Sequence, residues 1–144
     1  MKRAALIFAL CAASPAAGDD ALVDYVVENG ASIPAPLVAV DDGAEAGAAV
    51  FAAAGCADCH KTPGDPDAPA IGPDLTDVGA RLTAGEIRLM IVDPRIPLPD
   101  TEMPGYYAVG VFGEAPDELV GLTRLSAGDV ERLVAYLSEF ETAD

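Results

Sequence analysis

The sequence predicts an all-α domain, and three observations carry that reading. The strongest amphipathic pattern in the chain is helical: Val130, Leu133, Val134, Leu137 and Phe140 recur at the spacing of one helix face. Thr83 and Glu86 stand three residues apart ahead of an apolar run, the arrangement of a capping box that opens a helix. The stretch from Ala44 to Ala54 is Ala-rich, which favours helix by intrinsic propensity. A length of 144 residues suits one domain behind an export signal.

The elements follow in chain order. Lys2 and Arg3 precede a short apolar run, Ala4 to Ala13, which is too short to span a bilayer and reads as a secretory signal peptide over residues 1–17. Cleavage after Ala16 or after Gly18 would each satisfy the preference for small residues. Residues 18–42 form an N-terminal extension. In it Asp19 to Glu28 is expected to be a short helix, with Leu22, Tyr25 and Val26 on one face and Asn29-Gly30 as its stop. Ser32 to Ala39 contains Pro34 and Pro36 and is expected to be extended. Residues 43–144 are the domain itself. Its first helix is capped by Asp41 or Asp42 and ended by Gly55. Gly47 and Phe51 lie one turn apart, and Gly47 would permit another helix to cross closely.

Lys61 to Pro73 holds four prolines and two glycines and is loop. A helical turn is expected at Leu75 to Val78, and the capping box opens a helix through Val92 whose buried face is Ile87, Met90 and Ile91. Asp93-Pro94 stops it. Arg95 to Glu118 is a long proline-punctuated loop, and a loop of this length in a small domain points to function. The final helix begins at Ser126, with Asp129 three residues on.

Composition narrows the function. Only eight residues are aromatic, none is Trp, and Ala is abundant, so the protein-only core is thin and a chain this small gains from a cofactor staple. The formal charge is −16, and −18 once Lys2 and Arg3 leave with the signal, which makes a nucleic-acid partner improbable. The acidity reads either as a solvated surface or as a docking face for a basic patch on a redox partner. Of three cysteines, Cys11 lies in the leader, where bulky Leu10 argues against a lipoprotein site. The other two share one motif, so no pair is left for a structural disulfide. No later run is apolar enough for a membrane helix, and a soluble periplasmic protein is expected.

The motif is Cys56-Ala57-Asp58-Cys59-His60, whose spacing is that of covalent haem c attachment. Two thiols three positions apart at a helix start can meet the two vinyl groups of one porphyrin, and the adjacent imidazole reaches the iron from one face. A zinc site would lack a fourth ligand. A thioredoxin-like redox pair would want a strand-helix-strand setting, and this pair follows an Ala-rich helix. His60 is the only histidine, so the second axial ligand of the haem is not an imidazole of this chain. Lys61, beside His60, cannot easily reach the opposite face. Met90 sits on an apolar helix face, where a methionine is ordinarily a gap-filler. Met103, in Thr101-Glu102-Met103-Pro104 of the long loop, is the better axial ligand. Pro73 follows the motif by thirteen residues. It is either an ordinary turn proline or the carbonyl that accepts a hydrogen bond from the free ring nitrogen of His60.

Phe51 to His60, together with Gly47 and Tyr136 in the last helix, resembles the first helix, haem site and helix crossing of class I cytochromes c. Gly72-Pro73 resembles that family's proline whose carbonyl orients the proximal histidine. The resemblance covers about residues 43 to 140 and implies a class I cytochrome c-like domain with long haem-enclosing loops. Ile71 to Arg81, the run Leu89 to Arg95, and Pro99-Asp100-Thr101-Glu102-Met103-Pro104 before Tyr106-Tyr107 resemble more narrowly the SoxX family of monohaem subunits of the sulfur-oxidising system. This resemblance implies Met103 as distal ligand and a tight heterodimer with a SoxA-type cytochrome that carries the sulfur chemistry. It also implies transient work with a SoxYZ carrier, and a small soluble cytochrome c as electron acceptor. The implied activity is that of the electron-transfer subunit of an L-cysteine S-thiosulfotransferase. The acidic, Lys-poor surface departs from the family and leaves docking open. The competing readings are a free periplasmic shuttle cytochrome and a haem-based ligand sensor, which would need an open sixth position.

Overall fold

A computed structural model describes residues 22–108 and 123–141 of the chain. The leader, Cys11 and the part of the long loop beyond Ala108 lie outside them. Among the described residues there are four helices: α1 (Gly43–Ala53), α2 (Val78–Arg81), α3 (Ala84–Val92) and α4 (Ala127–Ser138). A single 3-10 turn, Cys56–Asp58, follows α1.

The first and last helices cross at Gly47. A side chain there would run into the backbone carbonyl oxygen of Arg132 and stand 2.6 Å from Tyr136 Cβ, so only glycine lets the two backbones come this close. Phe51, one turn on, meets the Tyr136 ring edge-on at 5.8 Å, and Tyr136 meets Phe140 in the same way at 4.8 Å. Such edge-to-face pairs stabilise beyond the area they bury. Val130, Leu133, Val134 and Leu137 of α4 are all buried, each contributing about 2 kcal/mol by removal from water. The expected stripe is therefore the observed one, except that Phe140 lies just past the helix end and is half-buried.

Asp42 occupies the N-cap position of α1 but makes no side-chain capping bond. Its carboxylate instead accepts from Arg132 Nε at 2.9 Å, tying the start of α1 to α4. The Thr83–Glu86 capping box forms in full, the Thr83 hydroxyl accepting from Glu86 N–H and the Glu86 carboxylate from Thr83 N–H. Ile87 and Ile91 are buried as expected, while Met90 is half-buried. The buried side of α3 also takes in Gly85, Arg88, Leu89 and Val92. The helical turn expected at Leu75 to Val78 starts at its last residue, because Asp74 accepts from Thr76 N–H and hydroxyl and holds that stretch as a turn.

The N-terminal extension departs most from expectation. No helix spans its described part. From Leu22 to Glu28 exposure alternates residue by residue. Val23, Tyr25 and Val27 turn towards the core, whereas Leu22 (60% exposed) and Val26 (73%) face outward. That period of two belongs to an extended chain. A tight turn at Asn29 and Gly30, both at positive φ, closes on a Glu28–Ser32 bridge. Ile33 and Leu37 then enter the core, 1% and 7% exposed, and Ile33 N–H donates to Gly85 O at 3.0 Å.

Beneath this extension lies a buried ion pair. Arg88 Nε and Nη2 donate to the two carboxylate oxygens of Glu131 at 2.7 and 2.8 Å. Arg88 Nη1 donates to Ile33 O, and Glu131 Oε1 accepts from Leu37 N–H. One α3 side chain and one α4 side chain thus satisfy the backbone of the extension that crosses them.

Candidate haem site

The site grows out of the end of α1. Ala54 caps the helix and Gly55 turns left-handed at φ +74, reversing the chain into the 3-10 turn. Asp58 N–H returns to Gly55 O, while Cys59 and His60 N–H both return to Cys56 O. Cys56 and Cys59 thereby sit one 3-10 turn apart on the same side, with His60 directly after.

His60 is held on two sides. Its Nδ1 lies 2.8 Å from Pro73 O. A carbonyl can only accept, so Nδ1 carries the proton and the Nε2 lone pair is left outward. Gly72 lies flat against the ring: a Cβ on it would overlap Cε1 and stand 2.7 Å from Nδ1. The two segments are laced together by Gly72 N–H to Cys59 O at 2.8 Å and Leu75 N–H to Lys61 O at 3.0 Å. Behind them Arg81 Nη2 donates to Asp74 O, and Arg81 Nε pairs with Asp77, which steadies the turn that presents Pro73. The Thr76 hydroxyl and N–H hold the Asp74 carboxyl below the usual carboxylate range.

Both thiols are free and half-buried. Burial pushes the Cys56 thiol up to about 11. A dithiol redox centre works through a thiolate with a lowered pKa, and this environment does the opposite. Among the described residues no three His, Cys, Asp or Glu side chains gather to hold a metal ion.

Met103 lies in the loop after α3, half-buried, its N–H donating to Thr101 Oγ1 at 3.2 Å. The loop is fastened at its return. Tyr106 and Tyr107 N–H donate to Ile91 O and Val92 O at the end of α3, and Tyr106 O accepts from Arg124 and Leu125 N–H ahead of α4. Tyr106 links this loop to the haem motif. Its pKa is raised by burial first and then by the charge of Cys56. Tyr106 also lines an open groove of about 670 Å³ with Val50, Ala53 and Ala54 from the end of α1 and Leu125. Ala49, Arg124 and Asp129 complete its lining, so the α1 wall is built of small side chains and the opposite one carries charge.

The residues present fit a covalently held haem: two free thiols at the attachment spacing and an imidazole whose Nδ1 is engaged by Pro73 O, which leaves Nε2 to ligate. Sequence reasoning singled out Cys56, Cys59, His60 and Pro73, and the structure gathers these four. It missed Gly72 as the surface on which the ring rests and Tyr106 as the link to the Met103 loop. The Gly-Pro dipeptide was a signal for the first, and nothing in the sequence marked the second.

Comparison with known proteins gives the same picture. A model of the cytochrome c family matches residues 44–141. The crystal structure of SoxXA from P. pantotrophus superposes with a TM-score of 0.70 at 26% identity, covering 83% of this chain and 95% of that one. No curated protein matches. The helical fold, the attachment motif and this likeness agree, and the chain belongs to the cytochrome c family as a SoxX-like, electron-transferring monohaem member with covalently bound haem c.

Proposed function

We propose that this chain is the electron-exit subunit of a thiosulfate-oxidising SoxAX complex, an L-cysteine S-thiosulfotransferase. The observation that carries this is the match to SoxXA over 95% of the compared chain. In this reading a signal peptide over residues 1–17 delivers the protein to the periplasm, leaving an extension (18–42) and the cytochrome c domain (43–144). No described helix is long and apolar enough to cross a membrane. The partner is a SoxA-type cytochrome. A SoxYZ carrier cysteine is joined there to thiosulfate: its thiol loses a proton, an S–S bond forms and two electrons leave. The sulfur chemistry belongs to that partner, since Cys56 and Cys59 are committed to the haem and Cys11 to the leader. A small soluble cytochrome c then takes the electrons.

Within the chain, Cys56 and Cys59 would hold the haem by thioether bonds, His60 Nε2 would ligate the iron, and Met103 would ligate it from the other side. Haem supplies a one-electron carrier, and the protein sets its ligands and burial. Pro73 O keeps the Nδ1 proton in place, which fixes the tautomer and makes His60 a firmer donor. Gly72 stops the ring from rotating away. A thioether as second ligand favours ferrous iron over what a second imidazole would give.

Three experiments test this. Mixed with a SoxA-type haem protein, the purified holoprotein should co-elute as a one-to-one pair and its haem should be reduced when thiosulfate and carrier are added. Elution as a lone monomer, with no thiosulfate-dependent reduction, would favour the free shuttle. Met103→Ala should abolish the Met-to-iron charge-transfer band, and an unchanged spectrum would move the assignment to Met90. Gly72→Ala should push His60 off Pro73 and weaken its ligation about tenfold, read as a high-spin fraction in the ferric absorbance spectrum. A wholly low-spin, wild-type spectrum would contradict the role given to Gly72.

A further inference from the structure

The described part of the extension and the Met103 loop meet at Tyr107. Tyr107 is 1% exposed and stands four positions past Met103. Its N–H holds the loop to Val92 O at the end of α3. Its hydroxyl oxygen accepts from Val23 N–H at 2.8 Å, across 84 residues of sequence. Its ring packs against Tyr25 at a centroid distance of 6.3 Å. The other limb of the loop is held by Arg95, which pairs with Asp93 at 2.8 Å and reaches over to Gly105. The segment 22–27 has no helix or ladder of its own. Its order comes from Val23, Tyr25 and Val27 lying on the core and from this hydroxyl.

We infer that residues 22–27 form a strap that closes over the Met103 loop, and that Tyr107 is a positioning residue for the distal iron ligand. The inference rests on Met103 as that ligand. The geometry supports it because the strap touches the loop where the loop turns back, on the peptide run that carries Met103 and Pro104. Movement of Met103 away from the haem carries Pro104 and Gly105 with it, and Tyr106–Tyr107, bonded to Ile91 O and Val92 O, are the anchor against which that run swings. The strap adds a hydrogen bond and an aromatic contact to that anchor. It thereby lowers the closed state relative to any open conformation that loosens those contacts. The consequence is kinetic: an outside ligand gains access to the iron only in the open state, so its rate of entry measures how well the strap holds.

The experiment uses ferric holoprotein and imidazole as the incoming ligand, following loss of the charge-transfer band and the Soret shift at low imidazole. Tyr107→Phe keeps the buried ring and removes the acceptor for Val23 N–H, and imidazole entry should speed up by roughly fivefold or more, since at least that hydrogen bond is lost. Tyr25→Ala removes the ring contact from the strap side, together with the Tyr25 hydroxyl near Asp93 and Arg95, and should act in the same direction. Val26→Ala, on the outward side of the same segment, should leave the rate unchanged. In Met103→Ala there is nothing to displace, so adding Tyr107→Phe should no longer change the rate. If Tyr107→Phe and Tyr25→Ala both take up imidazole at the wild-type rate while Met103→Ala loses the band, the strap is wrong and the ligand assignment stands. If the band survives in Met103→Ala, the ligand assignment itself has failed. A purely structural role for Tyr107 would lower the melting temperature without moving the entry rate, and that result also overturns the inference.

Discussion

Replacing Glu131 with Ala should lower the melting temperature of the holoprotein by about 15 °C. The change removes two of the three acceptors of the Arg88 guanidinium, leaving Ile33 O, and also the acceptor of Leu37 N–H. Arg88 and Glu131 have side chains 5% and 6% exposed, and a charge left unpaired at such a site costs about 3–5 kcal/mol. In a domain of this size, each kcal/mol moves the melting point by roughly 3–6 °C. Arg88→Met should be about as damaging, because it strands the carboxylate. The double variant Arg88→Met/Glu131→Leu separates the pair from its surroundings. Buried ion pairs are often replaceable by apolar residues of similar volume. Here the pair also satisfies Ile33 O and Leu37 N–H, which would be left unpaired at about 1–3 kcal/mol each. The double variant should therefore recover only part of the loss. Full recovery would mean that the pair serves only itself and does not organise the extension.

The second large effect is expected at the helix crossing. Gly47→Ala gains about 1 kcal/mol in helix propensity. It also drives a methyl group into Arg132 O and to within 2.6 Å of Tyr136 Cβ. Overpacking against backbone, which cannot rotate aside, costs about 3 kcal/mol. The collision wins, and thermal unfolding should show a net loss of about 2 kcal/mol. Gly43→Ala is the matched control. A Cβ there would lie 3.5 Å from Ala135 Cβ, an ordinary contact, so that variant should be neutral or slightly more stable. Equal losses at the two positions would refute the close crossing at Gly47.

Local chemistry was legible where it acts alone. The Thr83–Glu86 box and the Val130–Leu137 stripe need only neighbours within a turn or two, and both formed as read. The haem motif was legible for the same reason, since Cys56, Cys59 and His60 share one turn. The extension was misread because Leu22, Tyr25 and Val26 fit a helical face, while Val23, Tyr25 and Val27 fit an extended one equally well. The choice between the two periods was made by Tyr107, 84 residues away. Arg88 and Glu131 were invisible as core residues, because a charged side chain is ordinarily solvated unless a partner is buried with it. That partner belonged to another helix. Asp42 was read as a cap by type and position, but Arg132 offered a full charge where the helix end offered only N–H dipoles.

The way the chain closes on itself has a bearing on maturation. Asp42 and Arg132, which join the first helix to the last, are 90 residues apart. Contacts of that range form only after the intervening chain has been gathered in, which makes them late and slow. The haem-attachment turn follows the first helix directly, so its two thiols stand far ahead in the chain of the helix that completes the fold. The burial around Cys56 belongs to the folded chain. An attachment apparatus therefore has a window, set by the topology itself, in which the cysteines are still in water and the porphyrin can be joined before the two ends of the chain lock.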